Sequence, residues 1–230
     1  MDKIQIIEKL FLNIVAFSYL LLPVCFLISK NKKKELIPVT ISLYGVICCC
    51  FIYFFKDIPK EISVYFQTSY TFFEYAVFTF IFWFNFKQDK IKRLIIIFSL
   101  LFFAFQLFYV LSGNIKRLDS VPIGIETILL LIYIIYFFYT FSKRLNNFYI
   151  YNHYVFWFAV GILIYLGGSF FFFILIDHLT KDQVTAFGNL TFLAEVIKNI
   201  LFGLALFVYN RHTYESTEKN TKSIPFLDMI

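Results

Sequence analysis

Residues 64–86 read VYFQTSYTFFEYAVFTFIFWFNF. No Gly or Pro interrupts this run, and a single acid, Glu74, stands among aromatic and aliphatic neighbours. A helix rises about 1.5 Å per residue, so the run is long enough to cross the ~30 Å of hydrocarbon in a bilayer. The apolar character is continuous rather than alternating, which argues against a transmembrane β-strand. The stretch predicts a membrane helix with a carboxylate at depth.

Six more apolar stretches lie on either side of it, at 10–29, 37–55, 94–112, 125–142, 155–177 and 190–209. With 64–86 they predict an all-α, seven-transmembrane-helix bundle over residues 1–209. Residues 210–230 form a tail whose polar first part is expected to be mobile and whose closing IPFLDMI is expected to fray. Composition agrees: 60% hydrophobic, 23% aromatic and 16% charged, with a mean hydropathy of +0.75. A soluble domain carries about 25% charged residues, so a soluble class is excluded. Part of the Phe content reflects A/T-rich codons and need not report contacts. The flank MDKIQIIEK has mixed charge, and no small-residue cleavage site follows 10–29, so this segment reads as a span rather than a signal peptide.

Lys and Arg in the loops set the orientation. Segments 30–36, 87–93, 143–154 and 210–230 hold 13 of them, and the opposite set holds 7. The N-terminus is therefore expected outside and the C-terminus in the cytoplasm, in a bacterial inner membrane. The net charge of +6 follows from this bias and from attraction to the lipid bilayer, without nucleic acid as a partner.

Charged groups at bilayer depth cost at least ~2.5–3.5 kcal/mol, so they tend to face the bundle interior. Glu74 falls about 15 Å down its helix, near the midplane, and Glu195 and Lys198 about 8 and 12 Å down theirs. Glu126 is barely inside the fifth segment. Gln67, Thr71 and Glu74 share a face at helical spacing, as do Glu195, Lys198 and Asn199, while Gln106 sits in the outer half of the fourth segment. These eight residues are the candidate lining of a polar, outward-facing pocket. Glu195 and Lys198 could instead neutralise each other on one helix. Glu74 could be a neutral acid donating one hydrogen bond, or be held ionised by Lys198.

The sixth segment carries small residues, Gly161, Gly167 and Gly168, expected to serve close helix packing or a hinge. Pro23 and Pro38 are expected to kink or cap the first and second helices. Cys25 and the run Cys48-Cys49-Cys50 read as small hydrophobes, with no disulfide framework. His153, His178 and His212 lie at membrane edges or in the tail. No catalytic constellation, metal site or cofactor is expected. A lysine in the seventh helix and an acid in the third are also found in microbial rhodopsins, but the Asp expected four residues before that lysine is Ala194 here.

The segments FFEYAVFTFIFW (72–83), YVFWFAVGILIYLGGSFFFF (154–173) and VIKNILFGLALF (196–207) resemble those of short seven-transmembrane inner-membrane proteins of Bacteroidota. The matching positions are Glu74, Trp157, Gly161, Gly167, Gly168 and Asn199. The resemblance implies an association with two-component signalling, and so a histidine kinase or another membrane protein as partner. The expected function is a small receptor or signalling subunit that takes an apolar or amphipathic ligand. The alternative is a secondary transporter or ion-coupled permease using Glu74, Glu195 and Lys198.

Overall fold

The computed structural model describes residues 3–28, 36–55, 59–112, 120–144, 150–175 and 178–222. Among these residues the regular structure is helical, with no strand. In chain order the helices are α1 (Lys3–Ile28), α2 (Leu36–Phe55), α3 (Lys60–Asn85), α4 (Asp89–Leu111), α5 (Ser120–Arg144), α6 (Tyr154–Leu175) and α7 (Lys181–Lys222). A 3-10 turn at Ile150–Asn152 precedes α6.

Five stretches are long and apolar enough to cross a membrane: Leu10–Ile28, Leu36–Phe54, Asp89–Leu111, Val121–Lys143 and Gln183–Arg211. The other two helices are α3 and α6. α3 carries Gln67, Thr71 and Glu74, which lower its hydropathy, and it buries Thr71, Glu74, Tyr75, Phe78 and Phe82 against its neighbours. α6 carries no charged residue along its 22 residues, Tyr154–Leu175. α3, packed among α2, α4 and α5, need not be as uniformly apolar as a helix facing lipid. α4 is the contrasting case. It packs at the periphery against α3 and α5, and Leu100, Leu101, Phe108 and Leu111 point outward.

Several helices outrun the apolar stretches, because hydrocarbon thickness limits the apolar run and not the hydrogen-bonded helix. α1 begins at Lys3, ahead of its apolar stretch at Leu10. α4 coincides with its stretch, and the Asp89 carboxylate in its first turn complements the helix dipole. α7 continues to Lys222, where a mobile tail from 210 is expected from the sequence. No Gly or Pro stands between Gly203 and Pro225 to stop it. The loop residues Lys30, Lys32, Lys33, Lys34, Lys56, Lys116 and Arg117 and the end 224–230 lie outside the described residues.

α6 packs along α7, and α1 packs against both α2 and α7. Small residues allow these approaches. A Cβ on Gly168 would lie 2.5 Å from the Ala194 Cβ, and one on Gly161 would lie 3.1 Å from the Phe202 ring. Gly203 does the same for α1, 2.5 Å from Leu21. Gly167 departs from the expected packing role: a Cβ there would meet nothing within 4 Å. It lies on the outer side of α6, away from the face that Gly161 and Gly168 share.

Pro23 lies inside α1 and lacks an N–H, so the carbonyl of Tyr19 one turn earlier loses its intrahelical partner. Gly45 of α2 sits against that carbonyl, where a Cβ would come to 2.6 Å from the oxygen. The imino acid and the glycine thus bring α1 and α2 together at the level of Tyr19 and Tyr44. Pro38 falls in the first turn of α2, where its missing donor costs nothing.

Candidate functional site

Lys198 is the most deeply buried charge described, with no exposed surface. An ammonium has three protons to donate. Its Nζ lies 2.8 Å from the Tyr44 hydroxyl, 3.0 Å from Glu74 Oε1 and 3.2 Å from the Tyr19 hydroxyl. All three protons are therefore placed, and the Tyr165 ring adds a cation–π face 4.0 Å away. Burying a charge in a low-dielectric bundle is tolerable only with this degree of satisfaction.

Glu74 acts only as an acceptor. Its Oε1 takes Lys198 and the Tyr44 hydroxyl at 2.6 Å, and its Oε2 takes the Tyr165 hydroxyl at 3.0 Å. Tyr70, one turn before it on α3, is 3.4 Å from Oε1 and 3.0 Å from the Tyr19 hydroxyl. Tyr19 in turn donates to Glu195. α1, α2, α3, α6 and α7 each supply at least one member of this network. Glu195 is the more distant acid, 4.0 Å from Lys198. The ion pair read within one helix is thus secondary to one made between helices.

Above the network lies a half-enclosed cavity of about 480 Å³. Gln67, Tyr70, Thr71, Glu74, Glu126, Tyr165, Ser169 and Glu195 are among its lining residues. It occupies the end of the bundle where α3, α5 and α7 begin and α2 and α6 finish. The pocket residues Gln67, Thr71, Glu74, Glu126 and Glu195 thus share one cavity wall. Lys198 lies beneath this cavity rather than in its lining. Asn199 faces α1, donating to Ser18 Oγ at 2.8 Å, and so belongs to helix packing. Gln106 is buried on peripheral α4 and is not in the cavity lining, and among the described residues its Nε2 finds no partner.

Below Lys198 the core closes with aromatic rings. Phe78 stands edge-on to Phe158 and Phe202, each at 5.7 Å, and the latter two stack at 4.4 Å. Phe78, Phe82, Phe158 and Phe202 have no exposed surface. A second cavity of about 270 Å³ lies at the opposite end, among Asn85, Gln88, Tyr136, Thr140 and His153. No described residue lines both.

Sequence reasoning missed the tyrosines Tyr19, Tyr44 and Tyr70. A signal was present. Tyrosines gather at the membrane interfaces, and a buried one wants a partner for its hydroxyl. Tyr19 and Tyr44 stand mid-span, far from either interface, which marks polar groups inside the bundle. The chain matches no family model, no curated protein and no solved structure. The reading of function therefore rests on this site.

Proposed function

We propose that this chain is a small seven-helix receptor or signalling subunit of a bacterial inner membrane, with its N-terminus outside and its C-terminus in the cytoplasm. It takes an apolar or amphipathic ligand in the cavity above Glu74 and relays occupancy to a membrane partner such as a histidine kinase. One observation carries the reading: the cavity is floored by the Lys198–Glu74 network and then by the Phe78, Phe158 and Phe202 layer. Such a site can bind from one side and report through helix positions, because its floor is tied to five helices. A cavity of this volume belongs to the range that holds small organic ligands.

The runner-up, a secondary transporter or ion-coupled permease, is favoured by a different feature. Cavities at both ends of the bundle, separated by an aromatic layer, are what alternating access would start from.

Cysteine accessibility separates the two readings. In a chain with Cys25, Cys48, Cys49 and Cys50 replaced, single cysteines at Gln67, Thr127 and Thr140 are exposed to a membrane-impermeant maleimide. Vesicles of both orientations are used. The receptor reading expects Gln67→Cys and Thr127→Cys to label only from outside and Thr140→Cys only from inside. Labelling of either cavity position from both sides would overturn it in favour of the transporter.

A further inference from the structure

Glu126 differs from the other acids of the cavity. It is 6% exposed and lines the cavity wall, and among the described residues no hydrogen bond reaches its carboxyl group. Glu74 already has Lys198, Tyr44 and Tyr165, and Glu195 has Tyr19 and the more distant Lys198. One lysine therefore serves two of three acids, and the third is left facing the cavity alone.

The hydroxyls around it have the same bias. Thr71, Thr127, Ser169 and Thr191 each donate to a backbone carbonyl one turn back on their own helix, at 3.1, 2.8, 2.7 and 3.1 Å. Their protons are committed, and lone pairs remain for the cavity. The Tyr165 proton is likewise directed at Glu74. The cavity thus offers acceptors and few donors. Elsewhere its walls are apolar and aromatic, with Leu12, Ile52, Phe51, Phe172 and Phe192 among them.

We propose that the occupant of this cavity is an amphipathic organic cation, a protonated amine on an apolar body, with Glu126 as its counter-ion. The inference rests on the pocket reading given above and adds the ligand's chemical class. An anion would meet three acids. A neutral apolar molecule would leave a buried carboxyl group without a partner, which is costly in low dielectric. A divalent metal would need several free oxygen ligands at one point, and Glu74 and Glu195 are already engaged. An ammonium supplies donors, of which the cavity has few, and aromatic walls favour a cation beside an apolar body.

The test uses the full chain in nanodiscs of zwitterionic lipid, with empty nanodiscs as the blank. Phenylbutylammonium, phenylbutanol and phenylbutanoate share one apolar body and are titrated calorimetrically. The ammonium should bind about tenfold or more tightly than the alcohol, the difference one charge-assisted hydrogen bond makes, and the carboxylate least tightly. Glu126→Gln should bring the ammonium down to the alcohol's affinity. Equal binding of ammonium and alcohol to the unmodified chain would overturn the cation while leaving the pocket standing. A preference that survives Glu126→Gln would remove Glu126 as counter-ion. Binding of none of the three would overturn both this inference and the pocket reading. Should Glu126→Gln fail to fold, the ratio of ammonium to alcohol in the unmodified chain decides.

Discussion

Lys198 of α7 pairs with Glu74 of α3 at 3.0 Å, although Glu195 lies one turn away on its own helix at 4.0 Å. The pair ties the last helix to the third and draws Tyr44 of α2 into the same contact. Removing one partner leaves the other charged and buried. Glu74→Gln or Lys198→Met alone should therefore destabilise by ~3–5 kcal/mol, and the double variant by clearly less. Thermal melting in detergent completes the cycle. Additive losses would show that the two residues do not depend on each other. The corresponding cycle between Lys198 and Glu195 should show the weaker coupling.

The approach of α1 to α2 at Gly45 is a matter of backbone atoms, which cannot rotate away. Gly45→Ala should cost about 1–3 kcal/mol, because its Cβ would meet the Tyr19 carbonyl at 2.6 Å. Gly167→Ala, with open space around it, should shift the melting midpoint little or upward. A reversed order of the two variants would contradict the helix packing described.

Gln106 presents an amide nitrogen with no partner among the described residues. Replacing it by Leu removes an unsatisfied buried donor at similar size. Gln106→Leu should be neutral or stabilising by about 1 kcal/mol. A marked loss in the isolated protein would reveal a partner for that amide in the folded state.

Orientation is open to direct measurement. Reporter fusions after Lys34, Lys90 and Arg144 should behave as cytoplasmic, and one within 113–120 as external. An external reading at Lys34 would invert the assignment and move the larger cavity to the cytoplasmic side.

Much of the helix framework was legible because apolar runs long enough for a bilayer are hard to disguise. The cavity wall was partly legible for a similar reason: Gln67, Thr71 and Glu74 recur at helical spacing, so one face of α3 had to be polar. What periodicity cannot supply is the rotation of one helix against another. That is why the sequence pairs Lys198 with Glu195 as readily as with Glu74, and groups Gln106 and Asn199 with the pocket. Glu126 looked marginal because depth along a helix says nothing of which helices surround it. The tyrosines escaped notice among the abundant aromatics, although two of them stand where an interfacial residue has no reason to be.

The distance between Glu74 and Lys198 along the chain is 124 residues. Synthesis proceeds at about 5–20 residues per second, so the lysine follows its acid by roughly 6 to 25 s. Throughout that interval α3 is the least apolar of the helices already made, and it carries an acid whose cation does not yet exist. Tyr44, 30 residues ahead of Glu74, is the one network member on α1 or α2 that donates to it in the finished fold. Until α7 arrives, that phenol is the partner the finished fold offers the acid from the first two helices. On the proposed seven-helix reading, the third helix gains its last partner only with the seventh. A chain cut short before Lys198 should leave α3 poorly inserted, a fault of biogenesis that the folded protein conceals.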